Sequence, residues 1–183
     1  LGAGTNMTLR AAITEDAAAP GGGLTKTGDG LLSLLSTNAY SGLTSVEGGT
    51  LRLGQTNTLP VVGRVQVASN AALDLNGNVQ TLADLGGSGS VVNCGRLAVT
   101  DAVMPGGTNA VGTLTLAATP ASLAGTLKTD VTAGGASDCL SVSGDLDVSG
   151  LALEVTDTGN LNKDKRYVLA TCTSTLTGSF VAD

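Results

Sequence analysis

The chain has 183 residues, of which 42% are hydrophobic, 2% aromatic and 13% charged, with a formal net charge of −6. This length and apolar content suit one domain of ordinary size, and an acidic chain without a basic stripe argues against binding to nucleic acid or to anionic lipid. The chain has no histidine and no run of 18 apolar residues, which excludes Ser-His-Asp and Cys-His catalysis, histidine metal sites and membrane insertion of this segment.

The N-terminal region, residues 1–23, is predicted to be an edge strand followed by a loop. Residues 5–14 have an extended pattern, and we expect their pairing partner either in upstream residues or on another molecule. Pro20 and the three glycines after it end any helix that the preceding alanines could start. The chain opens at Leu1 without an initiator methionine and without a signal-peptide pattern, so we expect that it begins after processing or was cut from a longer precursor.

The regular part, residues 24–133, repeats one short phrase: a small residue, a spacer, then apolar, polar and apolar residues. The first apolar residue of each phrase recurs after 19, 22, 24, 17, 13 and 19 residues, and the last of these phrases falls in the C-terminal region. A strand that returns about every 20 residues, with turn residues between, indicates a solenoid. The sequence therefore predicts one inward column of stacked leucines, formed by Leu32, Leu51, Leu73, Leu97 and Leu114.

The C-terminal region, residues 134–183, departs from the regular pattern of residues 24–133 and carries a charged cluster at residues 163–166. Terminal coils of solenoids are usually atypical, so we expect this region to close the structure. No long amphipathic helix pattern occurs along the chain. The predicted fold is therefore all-β, with residues 1–183 in a single domain.

The polar side chains offer few candidates for a chemical site. Asp74, Asp145 and Asp147 alternate with leucines, so we expect them on a solvated outer face, with a weak Ca²⁺ site as the alternative. No cofactor is predicted. Tyr40 could stack on a sugar, but packing against the next coil is the favoured interpretation.

Three cysteines match no zinc-binding spacing and no CxxC motif. Two interpretations stay open. The cysteines are small buried apolar residues, or Cys139 and Cys172 form a disulfide between neighbouring C-terminal coils. The second leaves Cys94 free or paired between molecules.

Several stretches resemble the passenger-associated strand repeat of bacterial autotransporters. They are Gly23–Gly30, Leu32–Leu34, Asn38–Gly42 and Val46–Gly54, with Leu73–Leu82 similar to the usual continuation, and Ser137–Gly144 and Tyr167–Phe180 similar to the usual ending. The resemblance covers roughly residues 10 to 180. It implies a right-handed parallel β-helix that is extracellular or displayed on the bacterial cell surface, without common catalytic residues.

Three functions compete at this point. The first is a structural protein, a stalk or a fibre subunit that assembles with itself head to tail, because the two ends of a β-helix carry unpaired backbone groups unless they are capped. The alternative is an adhesin that binds glycans or host surfaces, which the scarcity of aromatic residues weakens. An enzyme is disfavoured, because no carboxylate cluster recurs at a consistent offset.

Overall fold

The computed structural model describes residues 4–107, 110–117, 121–157, 162 and 164–181. These residues form two long parallel sheets and one short parallel pair, and they contain no helix. Each coil of the chain contributes one strand to each long sheet, which is the architecture of a parallel β-helix. The predicted all-β solenoid is confirmed.

Sheet 1 contains eight strands, in the order β1-β3-β5-β7-β9-β11-β14-β17. These are β1 (Asn6–Leu9), β3 (Leu31–Leu34), β5 (Gly49–Leu53), β7 (Ala71–Asp74), β9 (Ser90–Val92), β11 (Thr113–Ala117), β14 (Cys139–Ser143) and β17 (Ala170–Cys172).

Sheet 2 runs beside it in the order β2-β4-β6-β8-β10-β13-β16, with β12 also paired to β10, and β15 pairs with β18. The strands are β2 (Leu24–Lys26), β4 (Thr44–Val46), β6 (Arg64–Val67), β8 (Val79–Gly87), β10 (Arg96–Pro105), β12 (Ala121–Leu123), β13 (Gly125–Val131), β15 (Leu146–Asp147), β16 (Leu151–Asp157) and β18 (Leu176–Thr177).

The alternation of apolar and polar residues decides which side chains enter the tube. In β5, Leu51 and Leu53 are fully buried, whereas Thr50 and Arg52 face outward and are half-buried. Successive side chains of a strand point to opposite faces, so a period of two gives one apolar face per strand. The turns between strands use residues that tolerate positive φ, such as Asn76 and Gly77 at 51° and 77°. Leucine and valine from both sheets therefore meet in a thin core.

The predicted leucine column needs a correction. Leu32, Leu51 and Leu73 are register partners, but the column continues through Val91 and Leu116. Leu97 lies in sheet 2, where its partners are Gln80 and Ala121, and Leu114 stacks on Leu140 instead. All five predicted leucines are buried. The single column is wrong because strands of both sheets carry the same phrase, so phrase spacing alone mixes the two sheets.

The coils differ in length, and the middle ones are the shortest, since the chain advances 25 residues from Met7 to its partner Leu32. From Leu73 to its partner Val91 the chain advances 18 residues, whereas from Val142 to its partner Cys172 it advances 30. One column of sheet 1 begins with small residues and holds larger ones in later coils, before it ends at Ala170. Gly49 pairs with Ala71 in the early coils, whereas Leu114 pairs with Leu140 in the later ones.

The first strand has its partner within the chain. Residues Asn6–Leu9 pair in parallel with Leu31–Leu34, and the other edge of β1 is the end of sheet 1. The opposite end of the molecule consists of β17, β18 and Val181, which pairs with Ala152 of β16. In the part of the chain that the structure describes, no helix is long and apolar enough to cross a membrane.

Candidate functional site: the open ends and the outer face of the β-helix

The N-terminal end of sheet 1 presents a strand edge. The carbonyl oxygens of Thr5 and Leu9 accept hydrogen bonds from the N–H groups of Leu31 and Leu35, so they point toward β3 within the plane of the sheet. Because backbone groups alternate in direction along a strand, those of Asn6 and Thr8 face away from β3. Met7 is 50% exposed although its register partner Leu32 is buried. A further strand added beside β1 would cover Met7 and form hydrogen bonds with the backbone groups of Asn6 and Thr8.

The C-terminal end carries a groove with a cavity volume of about 270 Å³, and its lining includes Val148, Tyr167, Leu176 and Phe180. The Tyr167 hydroxyl donates to the carbonyl of Thr132 over 2.9 Å, which fixes the ring in place. Leu176 is 59% exposed. This end of the tube therefore leaves apolar side chains open to solvent.

The two ends differ in charge. The segment after the first strand carries Arg10, Glu15 and Asp16, a net charge of −1, whereas the turn at Asp164, Lys165 and Arg166 carries a net charge of +1, and Arg166 lines the C-terminal groove. Hydrogen bonds from the backbone and hydroxyl of Ser41 and from Gly21 hold the pKa of Glu15 below its ordinary value, so this carboxylate is ionised at neutral pH. An acidic loop at one end and a basic turn at the other favour contact between unlike ends. Lys163, the first residue of the predicted charged cluster, lies outside the described residues.

The outer face of sheet 2 carries a polar groove with a cavity volume of about 240 Å³. Its charged borders are Arg64, Asp84, Asp101 and Lys128, and Lys128 also pairs with Glu154 over 2.9 Å. The groove is deep at Ala102, the register partner of Asp84, because the small alanine side chain leaves space above the strand. The groove offers hydrogen-bond donors and acceptors to a polar ligand.

The cysteines are free thiols. Cys172 is the register partner of Val142, three residues beyond Cys139 on the neighbouring strand. At about 3.3 Å per residue this offset separates the two Cα atoms by about 10 Å, beyond the reach of a disulfide. The odd offset also places the two side chains on opposite faces of the sheet. A Cys139–Cys172 bridge therefore does not fit this register.

The three acidic residues differ in exposure. Asp145 and Asp147 are exposed, as expected for an outer face. Asp74 also lies on the outer face, as the register partner of the outward-facing Arg52, but it is only 2% exposed and forms an ion pair with Arg52. The expected solvation of Asp74 is wrong because the neighbouring coils supply partners that cover its carboxylate.

Residues 24–53 match the model of the passenger-associated-transport-repeat. The match confirms the resemblance to autotransporter passengers over this stretch, which contains β2 to β5. A 74-residue segment of the chain is 35% identical to the uncharacterized protein YuaQ of Escherichia coli (strain K12). This segment covers 39% of the present chain and 5% of that protein. No solved structure matches the chain.

Within the transport repeat, Lys26 has a structural role that the sequence analysis missed. Its side chain turns inward, the residue is 2% exposed, and Nζ donates to the carbonyl groups of Thr27, Gly28 and Gly48 at 3.1, 2.6 and 2.7 Å. The ammonium group thus uses all three donors to join the turns of two successive coils. Burial lowers the pKa of Lys26, and the charge of Asp29 acts against this effect. The signal in the sequence was that Lys26 occupies a position where the apolar–polar alternation of the strand predicts an inward-facing side chain.

Tyr40 and Asn38 also belong to the repeat and lie inside. Tyr40 is 5% exposed, and its hydroxyl lies 2.6 Å from the Thr44 hydroxyl. Burial raises the pKa of Tyr40, and the hydrogen bond to Thr44 opposes this shift. The ring therefore packs between coils, as favoured from the sequence, and is not available to stack on a sugar. The Asn38 amide bonds to Ile13 in the previous coil and Thr58 in the next.

Proposed function

We propose that this β-helix is a structural module of a secreted or surface-displayed bacterial protein, in which copies stack end to end as a stalk or fibre. The transport repeat at residues 24–53 supports the passenger-like character and the location. The observation that carries the stacking is the pair of open ends, with β1 ending sheet 1 on one side and β17 on the other. The repeat and the solenoid fold are typical of non-catalytic passenger domains, so we propose no catalytic role.

The proposed junction extends the sheets of one copy into the next. β1 of one molecule lies beside β17 of another, with Met7 continuing the column that ends at Cys172. The same addition covers the apolar groove around Leu176 and brings Glu15 toward the basic turn at Arg166. Such a contact joins two different surfaces and does not close on itself, so it propagates as a filament.

Electron microscopy of the purified protein at increasing concentration tests this proposal. We expect filaments one β-helix wide, and light scattering that grows with protein concentration. Thr8→Pro removes a backbone donor that faces the free edge without breaking the ladder to β3, so filaments should be lost while the circular dichroism spectrum is kept. Val62→Lys, at a side of the tube where Val62 is 79% exposed, is the matched control and should assemble normally.

Two results would contradict the stacking. Monodisperse monomers of the wild type at high concentration would exclude assembly through the ends. Filaments of unchanged length and number in Thr8→Pro would exclude β1 as the junction.

A second candidate function is glycan binding, favoured by the polar groove on the outer face of sheet 2. Arg64, Asp84, Thr126 and Lys128 can bond to sugar hydroxyl groups there. A glycan array with the wild type, compared with Arg64→Ala and with Val62→Ala as control, tests it. Hits that disappear only in Arg64→Ala would support binding in the groove, and an array without hits would remove this candidate.

A further inference from the structure

The turn that follows β7 contains Asn76-Gly77, the only Asn-Gly pair in the chain. Both residues are exposed, and both have a positive φ, at 51° and 77°. The N–H of Asn78 donates to the carbonyl of Leu75 over 2.8 Å and closes the turn. Two central residues with positive φ are the mark of a type I′ turn, for which Asn followed by Gly is a preferred pair.

An asparagine that precedes a glycine can react with its own main chain, because glycine has no Cβ to hinder the approach of its backbone nitrogen. The nitrogen of Gly77 attacks Cγ of Asn76, so an N–C bond forms, the Cγ–Nδ2 bond breaks, and the amide group leaves as ammonia with the N–H proton. Water then opens the succinimide ring. Its attack on Cγ gives aspartate, whereas its attack on the main-chain carbonyl gives isoaspartate, whose backbone is longer by a methylene group.

The folded turn restrains the nitrogen that must attack. The N–H of Gly77 donates to the carbonyl of Asn93 in the next coil over 2.7 Å, and the N–H of Asn76 donates to Oδ1 of Asp74 over 2.8 Å. The side chain of Asn93 donates to the same Oδ1 over 3.0 Å. With the turn-closing bond of Asn78, these contacts fix three successive peptide planes. Attack needs the plane between Asn76 and Gly77 to rotate toward the side chain, so it requires these bonds to break.

Both neighbouring coils hold the turn in this position. A Cβ at Gly95 in the next coil would lie 2.1 Å from the carbonyl oxygen of Gly77, so the two backbones are in direct contact there. On the other side, Nδ2 of Asn78 donates to the carbonyl of Leu53 in the previous coil over 3.1 Å. The nitrogen of Gly77 therefore becomes free only when the coils separate locally.

The products of the reaction do not fit the closed turn. The additional methylene group of isoaspartate moves the N–H of Gly77 out of register with the carbonyl of Asn93. Either product also adds a carboxylate two residues from the buried carboxylate of Asp74, and like charges that lie close together disfavour the ionised pair. A molecule that has reacted should therefore close this coil less readily than before.

We propose that Asn76-Gly77 is a modification site that reacts only when its coil opens, forming a succinimide and then isoaspartate, and that this product keeps the coil open. The reaction consumes one water molecule, releases one ammonia molecule and needs no other reactant. It makes a transient separation of the middle coils permanent.

Incubation of the folded wild type in mildly alkaline buffer, followed by digestion and peptide mass spectrometry, measures deamidation of Asn76 over time. Fragmentation by electron transfer distinguishes isoaspartate from aspartate. We expect Asn76 of the folded protein to react at least about tenfold more slowly than in urea-unfolded protein, because only the open fraction reacts. The deamidated protein, made in urea, refolded and separated by ion exchange, should unfold at a lower urea concentration than unmodified protein treated in the same way.

Two variants test the control of opening. Asp74→Ala removes the acceptor of the Asn76 N–H and of the Asn93 side chain, so deamidation of the folded protein should become faster by about tenfold or more. Arg52→Ala is the matched control, because it removes another partner of Asp74 and leaves the bonds of the turn in place. Its rate should equal that of the wild type. Asn70, which precedes β7, reports on global unfolding, and its rate should not rise with that of Asn76.

Four results would overturn the proposal. Equal rates in the folded and the urea-unfolded wild type would mean that the turn gives no protection. Equal rates in Asp74→Ala and Arg52→Ala would mean that Asp74 does not hold the turn closed. A parallel rise at Asn70 and Asn76 in Asp74→Ala would assign the reaction to global unfolding. An unchanged unfolding midpoint of the deamidated protein would mean that the coil closes normally over the product.

Discussion

Arg52 and Asp74 join two successive coils of sheet 1, with Nε of Arg52 donating to Oδ2 of Asp74 over 2.7 Å between register partners of β5 and β7. Asp74 also accepts from the Asn93 side chain at 3.0 Å and from the Asn76 N–H at 2.8 Å. One carboxylate thus connects three coils on the outer side of the sheet.

Asp74→Ala should lower the free energy of unfolding by about 1–3 kcal/mol, because it removes charged hydrogen bonds from a site that is almost fully buried. The Arg52 side chain is 43% exposed and can return to water, which keeps the loss moderate. Arg52→Ala, the matched control, should cost less than about 1 kcal/mol since Asp74 keeps its two asparagine partners. Urea unfolding of the three proteins measures both values, and equal losses in the two variants would contradict this ranking.

The contribution of Asp74 should depend on pH. Burial acts to raise the pKa of Asp74, but hydrogen bonds from Arg52, Asn93 and Asn76 and the charge of Arg52 outweigh it, so the pKa lies below its ordinary value. The stabilisation is therefore complete above the unfolded pKa of about 3.9 and is lost as the pH falls through the folded pKa. The difference between wild type and Asp74→Ala should shrink below about pH 4. A difference that stays constant from neutral pH to about pH 2 would argue against the assignment.

Leu73 tests the corrected column. Its side chain is fully buried between Leu51 and Val91, so Leu73→Ala should cost about 2–5 kcal/mol through lost burial and a residual cavity. Val62→Ala, at a side chain that is 79% exposed, should change stability by less than about 0.5 kcal/mol. Thermal or urea unfolding gives both numbers. An unchanged Tm for Leu73→Ala would mean that this position is not part of the core.

The strand pattern was predictable from the sequence, but the assignment of strands to sheets was not. Apolar and polar residues alternate within each phrase, and this local pattern alone predicts that the side chains of Leu51 and Leu73 are buried. Which leucines stack in one column depends on the number of residues in the turns that connect the two sheets. Because Gly95–Leu97 and Gly112–Leu114 carry the same phrase in different sheets, spacing could not separate them.

The polar sites were harder to foresee, because their partners come from other coils. Lys26 bonds to Gly48, and Asp74 bonds to Asn93, at separations of 22 and 19 residues. Such contacts become visible only once the register is known, which explains why a solvated face was expected for Asp74.

Cys94 should react slowly in the folded protein. Burial, with the negative charge of Asp74 adding to it, raises the pKa of Cys94 from 9.0 to about 11. The thiolate fraction at neutral pH should therefore be about a hundredfold below that of the unfolded chain. Iodoacetamide labelling followed by peptide mass spectrometry should find Cys94 protected in native protein and labelled in urea, with faster labelling in Asp74→Ala. Labelling of native Cys94 at the rate of the unfolded chain would contradict the effect.

Lys26→Met tests the buried ammonium group. The substitution keeps an unbranched side chain but removes three hydrogen bonds to carbonyl groups of two coils, so a loss of about 1–3 kcal/mol is expected. Lys128→Met is the control, because Lys128 is exposed and its pair with Glu154 should contribute less than about 1 kcal/mol. Urea unfolding at neutral pH distinguishes the two variants. A Lys26→Met protein as stable as Lys128→Met would mean that burial of the charge cancels its hydrogen bonds.

Two glycines separate the effect of backbone conformation from that of close packing between coils. Gly49 has a φ of +61°, and a Cβ there would collide with the backbone of Asp29 and Gly30 in the previous coil, whereas Gly77 has a φ of +77° with no atom within 4 Å of its Cβ position. Gly77→Ala should therefore cost only the strain of left-handed backbone, about 1–2 kcal/mol.

Gly49→Ala carries the same strain and must also push two coils apart, so it should lose clearly more stability and also lower the unfolding cooperativity of the first coils. Urea unfolding and hydrogen exchange of residues in β2 to β5 measure the two effects. Equal losses in the two alanine variants would show that the coils can separate at Gly49 without cost. Close stacking of backbone on backbone would then not be what requires glycine in this phrase.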